Sequence, residues 1–328
     1  MEIFGLGIVS IALFAGFGLL IGVLFGFFGM GGSFLVTPAL LVVGYPVPVA
    51  VGSGLAFVFG TSVIGALGHR AHGQIDYKLA TLMLLGMTIG VEVGMRVVFL
   101  LEKIGSVDLV ISVAYVGLLA LVGTFTLSDA RGDRDRSDRF HFATLVQAIR
   151  LPPTVTLTGD LVVSSWLVLA VGGMIGILSG VLGVGGGFFL LPAMVYGFGV
   201  PATVAVGTDI LQITVSSAYG TFVYADANAV ALPAVGSLLA GSALGARIGV
   251  GATKHVGEDD VKGYFAATLF AGSLSIAAKE LSDHLVIEVL DTVSIALIFG
   301  APVLVSAVIV FTAVCSLQKE ITHGTSSP

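Results

Sequence analysis

The chain has 328 residues, of which 56% are hydrophobic and only 10% charged, and 14 Lys and Arg against 20 Asp and Glu give a formal net charge of −6. A water-soluble domain of this size cannot stay dispersed with so few charges, and no basic, aromatic-interleaved surface is present to hold nucleic acid. The single cysteine, Cys315, excludes an internal disulfide and any cysteine-built metal site.

Several apolar stretches contain no Lys, Arg, Asp or Glu and approach the ~20 residues with which an α-helix crosses hydrocarbon. They are continuous rather than alternating, which excludes an outer-membrane barrel. The expectation is an all-α, polytopic transmembrane helical bundle in the cell membrane, its natural partner the lipid bilayer. Apolar segments fall at 5–28, 33–44, 48–67, 79–101, 107–127, 162–182, 187–199, 203–223, 229–250, 262–281 and 292–315. Residues 5–28 lack a basic n-region and a small-residue cleavage site, so they read as a transmembrane helix rather than a signal peptide. The stretch 128–160 differs: Arg131, Arg134, Arg136 and Arg139 interleave with Asp129, Asp133, Asp135 and Asp138, and Leu151-Pro152-Pro153 leads into a short β-hairpin. It is a polar cytoplasmic linker.

The two sides of this linker match. Gly29-Met30-Gly31-Gly32-Ser33-Phe34 with Pro38 returns as Gly183-Val184-Gly185-Gly186-Gly187-Phe188 with Pro192. Val49-Ala50-Val51-Gly52-Ser53 returns as Val204-Ala205-Val206-Gly207-Thr208, and Gly86, Gly90 and Gly94 return as Gly241, Gly245 and Gly249. The expected domains are therefore a first repeat at 1–127, the linker at 128–160, a second repeat at 161–281, and an extra C-terminal helix and tail at 282–328. Five segments per repeat is an odd number, so the repeats are inverted. Lys and Arg favour the cytoplasmic side. Arg70, Lys78, the linker arginines, Lys254, Lys262 and Lys319 fit together when all eleven segments cross, with the N-terminus outside and the C-terminus cytoplasmic.

Each glycine turn precedes an apolar stretch of only 10–13 residues, which as a helix spans roughly 15–20 Å, short of the ~30 Å core. The turns are therefore expected at membrane depth, where irregular backbone lines a cavity or is buried in protein. Gly29, Gly31, Gly32, Ser33, Gly183, Gly185, Gly186 and Gly187 bring main chain close to a ligand. Ser33 and Gly187 are the candidate N-caps, whose free N–H groups suit an anion, and Pro38 and Pro192 break the short helices. Ser53 and Thr208 are candidate hydroxyl ligands. Thr61, Ser62, Ser216 and Ser217 stand on the same two segments, with hydroxyl bonding back to the helix as the competing role. Asp209 and Gln212 have apolar counterparts, Gly54 and Phe57. Asp209 is either a coupling carboxylate or a helix cap. Glu92 pairs with Arg96 along one helix and aligns with Arg247, which makes Glu92 and Arg247 further coupling candidates. His69 and His72 ahead of Asp76 read as a solvated loop, so no metal site is expected, nor any cofactor. The acidic run Glu258-Asp259-Asp260 reads as surface.

At these residues the chain resembles the TauE/SafE family of sulfite exporters, also called the toluene-sulfonate uptake permease family. The doubled glycine turn, Pro192, and Val204-Ala205-Val206-Gly207-Thr208 carry the resemblance. It implies transport of sulfite or organosulfur anions, and export is implied only by it. The expectation is a secondary transporter of a small sulfur-containing anion, with candidate proton coupling, rather than an enzyme. A passive anion channel of the same architecture, or a membrane component of a sulfur-handling pathway, are the alternatives. The sequence leaves open the anion, the coupling ion and the oligomeric state.

Overall fold

The computed structural model describes residues 2–3, 6–28, 32–68, 75–131, 152–157, 161–252, 258–285 and 287–324. Within these, eleven helices follow the eleven apolar segments. The first half gives α1 Ile8–Phe28, a 3-10 turn Gly32–Leu35 leading into α2 Val36–Val42, α3 Val47–Gly68, α4 Tyr77–Lys103 and α5 Val107–Ala130. The second gives α6 Ser165–Leu182, α7 Gly187–Pro192 running on as a π turn Ala193–Phe198, α8 Ala202–Asp226, α9 Leu232–Ala252 and α10 Glu258–Leu285. The unpaired last helix is α11 Glu288–Gly324. Eight of them, α1, α3, α4, α5, α6, α9, α10 and α11, are long and apolar enough to cross a membrane. The chain is thus an all-α polytopic bundle. Among the described residues the strands form two small hairpins, β1 Glu2–Ile3 with β2 Leu6–Gly7 and β3 Thr154–Leu157 with β4 Leu161–Ser164.

The prolines act differently from expectation. Pro38 is the third residue of α2, and the helix runs through it. A proline in the first turn needs no N–H partner, and its ring conflicts only with the carbonyl four residues back, at Phe34, where the chain is still wound as 3-10. Pro192 closes α7, and the looser π winding begins at the next residue. Pro192 marks a change of winding, while Pro38 lies within the first turn of α2, and neither leaves a gap. The caps also shift. The N-cap of α7 is Gly186, not Gly187, and α2 starts after Leu35 rather than at Ser33.

Contacts divide the chain into two compact units, each drawing on both halves. One comprises residues 45–111 and 134–232. In it α3 and α8 lie side by side and antiparallel: a Cβ at Gly52 would meet Tyr224 Cβ at 2.8 Å, and one at Gly220 would meet Leu55 at 2.9 Å. By contrast α4 and α6 run parallel, since Gly86 abuts Leu169, Gly90 abuts Gly173 and Gly94 abuts Ile177 in increasing order. At Gly90 the main chain of Gly173, Gly176 and Ile177 fills the space a side chain would need, the last at 2.7 Å. Such small-residue stripes let helices in lipid meet backbone to backbone. The β3–β4 hairpin, expected as part of the linker, belongs to this core. Leu157 and Val163 are buried among Leu79, Met83 and Val168.

The other unit comprises residues 1–44, 112–133 and 233–328. Here α1 and α9 repeat the same parallel stripe, with Gly18 against Leu238, Gly22 against Ser242 and Gly26 against Ala246. Phe17 stacks edge-on with Phe299 at 4.6 Å, and Phe34 with Phe265 at 5.4 Å. Lys279 of α10 pairs across to Asp291 of α11 at 2.8 Å and along its own helix with Asp283 at 3.2 Å.

Candidate functional site

The second glycine turn is fully described and sits inside the unit of residues 45–111 and 134–232. Gly183, Gly185 and Gly186 all have positive φ, at 72°, 75° and 83°, a region closed to most side chains. The turn residues 183–186 are buried. Four helices press on it. Val58 of α3 fills the space beside Gly185. Met87 of α4 and Ile175 of α6 lie 2.9 and 3.2 Å from a Cβ built on Gly186, and Ile213 of α8 abuts Gly187. Close packing therefore accounts for part of the glycine requirement.

It does not account for the unpaired polar groups. The N–H groups of Gly185, Gly186 and Gly187 meet no acceptor among the described residues, although buried backbone donors are nearly always paired. On two of the helices that press on the turn, side chains are in the same condition: Asp209 Oδ1, both amide atoms of Gln212, Ser216 Oγ and Ser179 Oγ are buried with no partner. Gln212, Ser216 and Ser179 have zero exposure. Positions 209, 212 and 216 fall on one stripe of α8, by the i, i+3, i+7 spacing of a helical face. Asp209 Oδ2 lies 3.8 Å from a Cβ built on Gly187, and Ile213 of the same stripe touches that glycine. On α6, Ser179 lies one turn after Ile175, on the face that Ile175 presents to Gly186. Both helices thus carry unpaired polar groups on the face that packs against the turn.

Not every expected residue joins this cluster. Gly29 and Gly31 lie outside the described residues, as do His69 and His72, while Gly32 and Ser33 begin the 3-10 turn before α2. Ser53 Oγ accepts the N–H of Ala231 at 2.9 Å, and Thr208 Oγ1 accepts that of Asp76 at 3.1 Å while donating to Val204 O. Thr61, Ser62 and Ser217 donate back to their own helices. Asp209 caps no helix. Asp76 does: it is buried and accepts from the N–H groups of Lys78 and Leu79, so it is not a solvated loop residue. Glu92 pairs with Arg96 at 2.8 Å and accepts from Tyr219 Oη at 3.2 Å, while Arg247 is exposed on α9. Ser179 was not expected; its only sequence signal is its place one turn before Gly183. Among the described residues no cluster of three or more His, Cys, Asp and Glu could hold a metal ion.

The family model described as sulfite exporter TauE/SafE matches residues 14–276. The chain is 28% identical to a probable membrane transporter protein of Xylella fastidiosa strain 9a5c, over 66% of this chain and 75% of the relative. It is 27% identical to the probable membrane transporter protein YjnA of Bacillus subtilis strain 168, over 71% of this chain and 86% of the relative. A third relative, the probable membrane transporter protein MJ0441 of Methanocaldococcus jannaschii, is 26% identical over 64% and 71% of the two chains. No solved structure matches.

Proposed function

The chain belongs to the TauE/SafE sulfite exporter family, as a multi-pass membrane transporter, and we propose that its cargo is a small sulfur-containing anion. The observation that carries this reading is the row of unpaired N–H groups at Gly185, Gly186 and Gly187. Three successive main-chain donors suit the oxygens of sulfite or of a sulfonate, and such donors hold an anion without a neutralising cation. A hydroxyl or amide from Ser179, Ser216 or Gln212 completes such a shell. In the first half, Gly29, Gly31, Gly32 and Ser33 are proposed as the equivalent contact.

Inverted halves are part of the proposal. Segments α3 and α8 are repeat partners, 155 positions apart at Ser53 and Thr208, and their antiparallel packing supports opposite orientations for the two halves. In many secondary transporters such repeats carry broken helices at the site. Export, with the N-terminus outside and the C-terminus cytoplasmic, is the direction proposed. Asp209 is the proposed carrier of a coupling proton, with Glu92 and Arg247 as secondary candidates, because a carboxyl at depth needs a positive partner.

Counterflow in proteoliposomes tests the reading. Unlabelled sulfite or sulfoacetate inside should drive accumulation of labelled sulfite above its external concentration. Equilibration without overshoot would point to a passive channel, and no sulfite flux at all would remove the sulfur anion.

A further inference from the structure

The proposed anion site contains its own contradiction. Asp209 stands beside Gly187, at the end of the row of free N–H groups where an anion would lie. An ionised Asp209 would repel that anion by several kcal/mol at an effective dielectric of ~20, so the anion is held only with the carboxyl protonated or paired with a positive charge. No cation pairs with Asp209 among the described residues. Nor is the second half a mere copy of the first. The positions matching Asp209, Gln212 and Ser179 are Gly54, Phe57 and Phe25, and Thr61, which matches Ser216, bonds to its own helix through Phe57 O and Val58 O. The polar residues of the stripe at 209 and 212, and Ser179, have no polar counterparts in the first half.

The stripe holds both kinds of group. The free N–H groups and Gln212 Nε2 donate, Asp209 and Gln212 Oε1 accept, and the two serine hydroxyls do either. From Asp209 to Ser216 it runs about 10 Å along α8, longer than a bare sulfite needs. We propose that this site takes a short zwitterion, an aminosulfonate. Its sulfonate lies on the N–H groups of Gly185–Gly187 with Ser179 and Gln212 Nε2, and its ammonium lies on the Asp209 carboxylate. Resting on the sulfur-anion reading, the inference puts the cargo's own amine where a coupling proton would otherwise sit. The ligand brings the missing positive charge and leaves no buried charge uncompensated.

The test is equilibrium binding to the purified full-length protein in nanodiscs, with 2-aminoethanesulfonate, ethanesulfonate, sulfite and β-alanine as probes. The aminosulfonate should bind at least ten-fold more tightly than ethanesulfonate. Asp209→Asn should abolish that preference and raise ethanesulfonate affinity, because the repulsion is gone. Gln212→Met should weaken aminosulfonate binding ten-fold or more while raising the melting temperature of the ligand-free protein, which a merely structural glutamine would not do. Equal wild-type affinities for the two sulfonates, or a preference that survives Asp209→Asn, overturn the inference. If sulfite and ethanesulfonate bind and the aminosulfonate does not, the inference falls and the sulfur-anion reading stands. If β-alanine matches the aminosulfonate and sulfite does not bind, the ammonium contact stands and the sulfur-anion reading falls. No binding of any probe to monodisperse, helical protein overturns both.

Discussion

The N–H of Asp76 donates to Thr208 Oγ1 at 3.1 Å, and its repeat-related counterpart, the N–H of Ala231, donates to Ser53 Oγ at 2.9 Å. The two bonds are one bond made twice: 53 and 208, and 76 and 231, are each 155 positions apart. The third helix of each half therefore tethers the start of the fourth helix of the other. The glycine stripes repeat the exchange, α4 of the first half against α6 of the second, and α9 of the second against α1 of the first. Neither half is a self-contained packing unit, which explains why the compact units cut across the repeats.

These hydroxyls should matter for stability before transport. Thr208→Val and Ser53→Ala each remove one acceptor from a backbone donor, at a cost of about 1 kcal/mol. Melting temperatures in detergent should fall by a few degrees for each, and Thr208→Ser should stay near wild type. A wild-type melting temperature in both, with lost sulfite binding, would make them cargo ligands instead.

Stripe glycines should be intolerant in a position-specific way. Gly90→Ala would drive a methyl into the main chain of Gly173 and Gly176, whereas a Cβ at Gly236, also helical, meets nothing within 4 Å. Overpacking costs about 1–3 kcal/mol, while Gly→Ala in an open helical position gains up to about 1 kcal/mol. The first variant should lose monodisperse protein on size exclusion. The second should express and melt at or above the wild-type level.

Glu92 and Arg96 form a pair on a membrane-spanning helix. Removing one partner strands the other charge, whereas removing both leaves none. Arg96→Leu should lower yield and melting temperature, and Glu92→Gln/Arg96→Leu should restore most of both. If the double variant is the worse of the two, the pair is positioning something beyond itself.

Ser179 should show a trade of stability against function. Its hydroxyl is buried without a partner, so Ser179→Ala should stabilise the ligand-free protein by about 1 kcal/mol and weaken cargo binding. Ser217→Ala is the control. That hydroxyl already bonds to Ile213 O on its own helix, and its loss should change binding little.

Segment lengths, the missing charges and the repeated glycine turn were legible in the chain, because hydrocarbon demands about 20 apolar residues per crossing and duplication leaves identical residues at a fixed spacing. The i, i+4 spacing of Glu92 and Arg96 foretold their pair. Ser53 and Thr208 were visible as polar residues within apolar segments, but not as acceptors for the opposite half. That bond joins residues 178 and 132 positions apart, and no local pattern encodes it. The N-caps moved by a residue or more because positive φ at Gly186 and the 3-10 turn before α2 are set by what packs against them.

By itself the sequence determined an all-α membrane transporter with a repeated glycine turn, since bilayer thickness and main-chain hydrogen bonding constrain a chain locally. Only the tertiary structure decided which polar residues stay unpaired. A hydroxyl on an apolar helix reads the same whether it bonds to its own carbonyl, as in Ser217, or to nothing, as in Ser216 and Ser179. The difference depends on which neighbouring helix fills the space beside it, and that set Asp209 beside Gly187 with Gln212, Ser216 and Ser179 on the faces packed against the same turn.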